Sequence, residues 1–566
     1  MLALLAGQVI LLHQPPRTPH PAIEQALARL GDVQPCVVVN KMPNEAAPGA
    51  RNEPEAPAAA TSGPTASTRS ADAPASDACA QPARRSLFAR LFRRPVAIAL
   101  AIAGTGLGVP AALAAWVITP AIEAGGALND NLTLENDEDR EAGYVAFVSP
   151  GLFVDGSTGR LDLTADYLAE AYFFRGDASD EDLRHNFDGL ARLEMVQDHL
   201  FLDARGFATP RLRDSRSSSV FSEFNLTDER VQSYGYDLQP AVVGTWRDQA
   251  VAGARVAFGE TFFDVDDIQE SQSLLGEVFV QNGPAFDRLD WRLSAFAAQT
   301  DFQDSSVSRG RTVERWLTAV DVGYGITDEL RLTAGVGYSY LEDPDSVQEV
   351  REGPYLAAGL DWRPSDRLTL TTRAGTIYDR FFTQNRLRYE ISEKVSASIG
   401  YAERIEDRET LRFAATSPED GSAATTSPDT GLIEDGVTDS ETFVLRRADL
   451  DVVRDFGRNT LALYGFFDRR EYESSRPDDR GYGVGVRFSR DLRRNLELTS
   501  DLRLQRFEID DDISDTNLYR FAVRLEHFLN PTASIALGYS FGKRDASNRE
   551  QDATENVVAL RFRKEF

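Results

Sequence analysis

The chain has 566 residues, of which 61 are lysine or arginine and 89 are aspartate or glutamate, so its formal net charge is −28. Hydrophobic residues make up 42% and charged residues 27%, which is too apolar for a disordered chain and too polar for a bundle of membrane helices. The acidic balance argues against a nucleic-acid partner, because phosphate contacts need clustered basic side chains. The two cysteines, Cys36 and Cys79, leave the rest of the chain without a thiolate metal site, a disulfide or a cysteine nucleophile.

Residues 1–82 are rich in alanine, proline, serine and threonine, as in Ala73-Pro74-Ala75-Ser76. Such a composition buries too little apolar surface to offset the entropy of ordering, so it predicts a disordered extension. A signal peptide does not normally begin this far into a protein. We therefore interpret the extension as an artefact of the assigned gene start, with translation beginning near residue 83.

Residues 83–114 have the features of a secretory signal peptide. A basic block at 84–94 precedes an apolar run, and the small residues Ala112 and Ala114 form a cleavage site. The alternative is an uncleaved membrane helix that runs to Trp116. Three glycines and a proline within the run weaken a helix there and favour cleavage after Ala114.

Residues 115–566 show repeated two-residue alternation of apolar and polar side chains. In residues 496–505, the leucines at 496, 498, 502 and 504 alternate with polar residues, which indicates a strand with one apolar and one polar side. Short and long connections also alternate along the chain. This pattern predicts an all-β, transmembrane, antiparallel up-and-down barrel of about 22 strands (range roughly 18–22), with short periplasmic turns and long extracellular loops. A soluble propeller or sandwich would need fixed-length repeats, which the sequence lacks.

The last strand carries an assembly signal. Val558, Leu560, Phe562 and Phe566 share one face, and the sequence ends on the aromatic residue. This pattern resembles the C-terminal signal of outer-membrane barrels, in which Phe562 and Phe566 supply the aromatic side chains. It implies the barrel-assembly machinery as a partner and the Gram-negative outer membrane, with its lipid and lipopolysaccharide, as the location.

Charged residues occupy the inward-facing positions of several predicted strands. The candidate lumen charges are Asp162, Asp166, Glu170, Asp203, Arg205, Arg447, Asp449, Asp501, Arg503, Arg561 and Arg563. Two interpretations remain open: the charges form ladders that join neighbouring strands, or they line a hydrated path that selects solutes.

The carboxylates of one strand suggest a preference for cations. Asp162, Asp166 and Glu170 share a face that carries no arginine, and uncompensated carboxylates attract cations into a pore. Arg205 and Arg561 on neighbouring strands would weaken this preference if they neutralised these groups. The longest predicted loop, at 403–440, is the candidate to fold into the lumen.

Nothing in the sequence indicates catalysis. The five histidines are scattered, and none lies beside a plausible nucleophile in its own hairpin. The acidic run at 510–512 lacks the ligand spacing of a calcium loop. We therefore expect a non-enzymatic protein with no cofactor, no metal site and no catalytic residues.

Five motifs near the start of the predicted barrel carry a family resemblance: Ile118-Thr119-Pro120, Asn129-Asp130-Asn131, Val148-Ser149-Pro150-Gly151-Leu152, Leu161-Asp162-Leu163 leading to Tyr167, and the stretch 193–204. They resemble the outer-membrane proteins associated with the PEP-CTERM protein-sorting system, which are typically encoded among exopolysaccharide genes. The resemblance implies a channel or assembly partner in exopolysaccharide or surface-protein export, with polysaccharide export components as expected partners. Two alternatives stay open: a general diffusion porin for small solutes, and an inner-membrane-anchored periplasmic β-protein that acts as a scaffold.

Overall fold

The computed structural model describes residues 115–566 except 137, 177–179, 214–221, 228, 407–439, 475, 511–514 and 549–550, together with two short strands near the N-terminus. The chain divides into two compact units, Met1–Thr105 and Gly106–Phe566. In the first unit, β1 (Leu2–Leu5) and β2 (Gln8–Leu11) pair as an antiparallel hairpin. The remainder of the predicted extension and the predicted signal peptide, with Ala112 and Ala114, lie outside the described residues.

The second unit contains a closed antiparallel barrel of 22 strands, arranged in chain order. Its strands are β3 (Ala115–Asn129), β4 (Gly143–Ser157), β5 (Leu161–Gly176), β6 (Glu181–Val196), β7 (Leu200–Leu212), β8 (Arg230–Trp246), β9 (Ala250–Phe263), β10 (Ser271–Asn282), β11 (Leu289–Phe302), β12 (Arg311–Gly325), β13 (Leu330–Glu342), β14 (Val350–Ser365), β15 (Leu368–Ile377), β16 (Arg380–Ser392), β17 (Val395–Glu406), β18 (Phe443–Asp455), β19 (Asn459–Tyr472), β20 (Asp479–Arg493), β21 (Leu496–Ile509), β22 (Thr516–Asn530), β23 (Ala533–Ala546) and β24 (Ala553–Glu565).

The barrel closes where the last strand meets the first. β24 pairs with β3 from Val557↔Asn129 to Glu565↔Ala121, and the Phe566 N–H donates to the Pro120 carbonyl at 2.8 Å. Closure gives every barrel strand two neighbours, as a sheet that crosses lipid requires. The predicted fold class and strand number are confirmed. Within the described ranges, no helix is long and apolar enough to span a membrane.

The two ends of the barrel differ in the length of their connections. Tight turns lie at the end where β6 meets β7, and Asp198 adopts a φ of 60° there while its N–H donates to the Glu194 carboxylate at 2.6 Å. The long connections lie at the other end, which is the extracellular side of such barrels. One extracellular connection is short: Tyr378 and Asp379, with φ values of 53° and 54°, join β15, the shortest strand of the barrel, to β16. The barrel therefore extends less far toward the extracellular side at this hairpin, which we call the low wall.

The outer face of the barrel is apolar and exposed. Leu502 and Leu504 of β21 are 42% and 40% exposed, and their neighbours on the same face are also apolar. Toward the extracellular end, the Trp316 ring stacks against Tyr338 and Tyr340, with 5.6 Å between ring centroids in each case. A closed barrel with an apolar outer band and an aromatic border is suited to lipid. The protein is an outer-membrane β-barrel.

Candidate translocation pathway in the barrel lumen

The inner face of the barrel is identified by buried side chains on β5. Tyr172 and Phe174 are 2% and 0% exposed and pack against Phe147 of β4 and Phe224 of the β7–β8 connection. Because side chains alternate along a strand, Asp162, Asp166, Glu170 and Tyr172 all point to the same side. The pairing register then carries this assignment from strand to strand around the barrel.

Every candidate lumen charge lies on this inner face. They are Asp162, Asp166 and Glu170 on β5, Asp203 and Arg205 on β7, Arg447 and Asp449 on β18, Asp501 and Arg503 on β21, and Arg561 and Arg563 on β24. Many of these charges are paired with a neighbour, such as Asp203 with Arg192 at 2.8 Å and Asp501 with Arg503 at 2.6 Å. Their role in selecting solutes stays a prediction.

One side of the lumen is acidic. We call the inner face of β5–β8 the acidic wall; its carboxylates are Asp162, Asp166, Glu170, Asp182, Asp188, Glu194, Asp203 and Asp237. Arg205 pairs with Asp188 at 2.9 Å and Arg561 pairs with Glu123 at 2.8 Å, although Arg561 also lies close enough to Glu170 of β5 to offset part of its charge. Within the described part of the chain, the three β5 carboxylates form no ion pair.

A cavity of about 440 Å³ opens on the acidic wall. It lies toward the periplasmic end, because Asp162 is the second residue of β5 after a short turn. Its polar lining residues are Asp162, Thr164, Arg192, Asp203, Arg205, Asp237 and Gln239. Carboxylates, guanidinium groups and an amide together supply donors and acceptors for a polar solute.

Another part of the lumen is basic. We call the inner face of β14–β17 the arginine wall; its arginines are Arg351, Arg363, Arg373, Arg380, Arg386, Arg388 and Arg404. Arg373 pairs with Asp321 of β12 at 2.6 Å and Arg386 with Asp449 of β18 at 3.5 Å, so their partners come from other strands. The same face of these strands also carries Asp361, Glu390 and Glu406, and Glu406 pairs with Arg404 of its own strand. In ring order, this wall lies about halfway around the barrel from the acidic wall.

Residues 222–227 of the β7–β8 connection turn into the lumen. We call them the inward segment. The Phe224 ring lies 5.6 Å from Phe147 and 6.2 Å from Tyr172, and Asn225 has no exposed surface. The Leu226 N–H donates to the Leu132 carbonyl at 2.7 Å. The segment therefore covers the extracellular part of β4 and β5.

A buried carboxylate holds the inward segment. Glu555 of β24 is 1% exposed, and its Oε1 atom accepts hydrogen bonds from Asn129 at 2.7 Å, Ser222 at 2.8 Å and Asn225 at 3.2 Å. Arg561 also forms an ion pair with Glu223. Asn129 belongs to the Asn-Asp-Asn motif of the family resemblance, so this motif joins the barrel seam to the inward segment.

A second set of contacts crosses the low wall at the β15–β16 hairpin. Thr442 beside β18 donates to Asp343 beyond β13 at 2.6 Å, and both are almost fully buried. Glu473 beyond β19 pairs with Arg351 of β14 and with Arg380 of β16, the latter at 2.9 Å. These bonds link the extracellular ends of β18 and β19 to β13 and β14. Most of the loop predicted to fold inward, at 407–439, lies outside the described residues.

Among the side chains that the structure describes, we find no arrangement suited to catalysis. His185 Nδ1 lies 3.0 Å from the Tyr167 hydroxyl, but both side chains are on the lipid-facing side of β5 and β6. Among the described residues, no group of three or more histidines, cysteines and carboxylates could hold a metal ion. The expectation of a protein without catalytic residues stays a prediction.

Three features of the lumen were missed in the sequence. The alternation Arg386-Leu387-Arg388 does signal inward arginines, so the arginine wall could have been found from the same pattern as the acidic wall. Phe224 is an aromatic residue in an otherwise polar loop, which is a weak signal of burial. Glu555 looks like any other inward charge, and only the fold shows that it is buried.

The comparisons with known proteins support the barrel fold and nothing more specific. No protein-family model and no curated protein matches the chain. Among solved structures, the FrpB iron transporter from Neisseria meningitidis (F5-1 variant) is similar at 10% identity over 79% of this chain and 82% of that chain, with a TM-score of 0.46. The siderophore receptor PirA from Acinetobacter baumannii is similar at 8% identity over 79% and 80%, with a TM-score of 0.45. Likeness this distant says nothing about a ligand.

Proposed function

We propose that the barrel is a passive, non-enzymatic outer-membrane channel that serves the export of an exopolysaccharide or of surface proteins. The channel function is supported by the two oppositely charged walls that face the lumen. Ladders that only join strands would pair each charge with a neighbour. Asp162, Asp166, Arg363 and Arg388 are instead exposed, and they form no ion pair within the described part of the chain.

Exposed charges of this kind attract or repel the ions and charged solutes that enter the water-filled lumen. Carboxylates raise the local concentration of cations, and guanidinium groups raise that of anions. A barrel of this size encloses an aqueous channel unless its interior is filled. The inward segment covers part of the acidic wall, so we expect it to narrow the path and to lower the conductance.

The export role rests on the family resemblance and on the chemistry of the arginine wall. Guanidinium groups bind carboxylates through paired hydrogen bonds, and the charged groups of an acidic polysaccharide would find such donors along β14–β17. The hydroxyl groups of a sugar chain suit the mixed donors and acceptors of the cavity on the acidic wall. Both features support a polar polymer as cargo.

A general diffusion porin is the second candidate. The cavity of about 440 Å³ near Asp162 favours it, because its volume matches a small solute better than a polymer. This function needs no partner beyond the membrane. It predicts conductance without any effect on export.

Two measurements separate the candidates. Planar-bilayer recordings of the purified barrel test for a channel, and absence of conductance would contradict both candidates. A deletion strain then tests the cargo through secreted polysaccharide, surface-protein display and uptake of small sugars. The export proposal predicts that the first two fall and are restored by the wild-type gene. Loss of sugar uptake with normal export would favour the porin.

A further inference from the structure

Two neighbouring periplasmic turns carry a dense group of arginines. We call residues 454–458, at the β18–β19 turn, and residues 490–494, at the β20–β21 turn, the basic turns. All of their arginines are exposed, and within the described part of the chain none of them forms an ion pair. On a chain with a net charge of −28, this is a local excess of free positive charge. The five arginines are Arg454, Arg458, Arg490, Arg493 and Arg494.

The basic turns contain fewer carboxylates than arginines. Asp455 and Asp491 lie within them, and both follow the inner-face alternation of their strands. Glu497, opposite Asp491, is also on the inner face. The adjacent β16–β17 turn carries Glu393 beside Lys394, so its charges cancel. Five guanidinium groups therefore face two carboxylates, neither of which forms an ion pair in the described structure.

Main-chain hydrogen bonds join the basic turns into one surface. The Asp491 N–H donates to the Arg458 carbonyl at 2.9 Å, so the two turns are in direct contact. The Phe456 N–H donates to the Asn459 carbonyl at 2.7 Å, and Gly457 has a φ of 86°, which glycine adopts without strain. A backbone that is already ordered loses little entropy when a partner binds.

Exposed apolar side chains lie among the arginines. Phe456 is 44% exposed and Leu492 is 40% exposed. The Arg454 guanidinium carbon lies 4.2 Å from the centre of the Phe456 ring. Aromatic and arginine side chains are enriched in protein–protein interfaces, and they dominate the binding energy there. The composition of the basic turns therefore favours contact with a protein.

The basic turns extend beyond the strands toward the periplasm. Arg458 and Arg494 lie in the connections, after the last residues of β18 and β20. Arg454 and Arg490 follow the outward alternation, opposite the lipid-facing residues Leu461 and Leu498. Contact with lipid headgroups accounts for Arg454 and Arg490 but not for the arginines in the connections. A partner in the aqueous periplasm accounts for both.

The periplasmic turn between β6 and β7 has the opposite charge. Glu194 and Asp198 lie there, and residues 193–199 contain no lysine or arginine. An acidic partner is therefore attracted to one sector of the periplasmic rim and repelled by another. Complementary and opposing charges of this kind orient a partner during association.

We propose that the basic turns dock an acidic segment of a periplasmic protein, one that presents several aspartate or glutamate side chains. Guanidinium groups form paired, charge-assisted hydrogen bonds with carboxylates, and Phe456 and Leu492 add apolar contact. The two turns are two strand spacings apart, about 10 Å, so the surface suits a short segment or loop. The docking does not depend on what passes through the channel.

The first test measures binding of an acidic peptide. Folded barrel in phosphatidylcholine nanodiscs is titrated with a fluorescein-labelled oligoglutamate peptide at about 0.1 M NaCl, and binding is followed by fluorescence anisotropy. The triple change Arg458→Gln, Arg493→Gln and Arg494→Gln should weaken binding about tenfold, because each removes an exposed partner for a carboxylate. Unchanged binding would overturn the proposal.

The matched control removes three arginines from other periplasmic turns: Arg160→Gln, Arg247→Gln and Arg288→Gln. These arginines are also exposed and form no ion pair within the described residues. The control should bind the peptide as the wild type does, and an equal loss in both triple variants would overturn the proposal. Heat-modifiable migration in gels checks folding. If the basic-turn variant does not fold, Arg494→Gln alone is compared with Arg160→Gln.

The second test separates a protein partner from the membrane. Native mass spectrometry measures how much phosphatidylglycerol the wild type and the basic-turn variant retain. Loss of peptide binding with unchanged lipid retention supports a protein partner. Loss of phosphatidylglycerol with wild-type peptide binding would mean that the surface binds lipid, and the proposal would be wrong.

Discussion

The acidic wall and the arginine wall are built from the same kind of strand but carry opposite charges. Asp162 is the second residue of β5 and Arg363 is the third-last residue of β14, so both lie near the periplasmic end of the lumen. The outer faces of both strands are apolar in the same way. The difference shows that the barrel scaffold leaves the inner positions free to set the charge of each wall independently.

The two walls also differ in what covers them on the extracellular side. The inward segment packs on β4 and β5 next to the acidic wall, through Phe224 and Phe147. The arginine wall is bound at its extracellular end to Glu473, which pairs with Arg351 and Arg380. A solute that follows either wall therefore meets a different structure at the mouth. Substitutions on the lipid-facing side of the strands, in the contacts at the extracellular mouth and in the two charged walls should therefore have separable effects.

The largest effect should come from a charge placed on the wrong face of a strand. Leu502→Arg on the lipid-facing side of β21 should destabilise the folded barrel by about 2–4 kcal/mol, because Leu502 lies midway along the strand, where lipid surrounds it. Gln505→Arg, on the inner face of the same strand, is the control and should be far milder. Urea unfolding in lipid vesicles measures both. Equal tolerance at both positions would mean that the two faces have been assigned incorrectly, and the walls with them.

A smaller effect should follow from loss of the buried carboxylate. Glu555→Ala should destabilise the protein by about 1–3 kcal/mol, because Asn129 and Asn225 lose their acceptor in a buried cluster. It should also release the inward segment from the acidic wall and so raise the conductance of the channel. Glu526→Ala removes an inner-face carboxylate whose partner, Arg524, is largely exposed, and it should cost no more than about 1 kcal/mol. A Glu555→Ala barrel with wild-type conductance would show that the segment does not restrict the path.

The smallest effect concerns ionic strength. The Debye length is about 10 Å at 0.1 M salt and about 3 Å at 1 M, so exposed wall charges act at a distance only in dilute salt. We expect any ion preference measured at 0.1 M to become weaker at 1 M in the same bilayer. An ion preference that persists unchanged at 1 M would point to a narrow binding site in place of two extended walls.

The fold was predictable because one rule, the two-residue alternation, fixes both the strands and their faces. The alternation alone places Asp162, Arg503 and Arg561 on the inner side, and the succession of short and long connections predicts 22 strands.

The segment that turns into the lumen and the ion pairs between strands could not be predicted from this alternation. Residues 222–227 turn inward because Glu555, more than 300 positions away, accepts their hydrogen bonds, and no local pattern encodes such a contact. The pairings of Arg205 with Asp188 and of Arg561 with Glu123 also depend on strand register. The prediction of a cation preference considered β5 alone and therefore omitted the arginine wall.

The most direct test of two opposed walls is the reversal potential of single channels in a KCl gradient near 0.1 M. Asp162→Asn with Asp166→Asn removes two exposed charges from the acidic wall, and Arg363→Gln with Arg388→Gln removes two from the arginine wall. The account predicts that the first pair shifts the reversal potential toward anion preference and the second toward cation preference, relative to the wild-type barrel. Shifts in the same direction, or no shift in either pair, would contradict it.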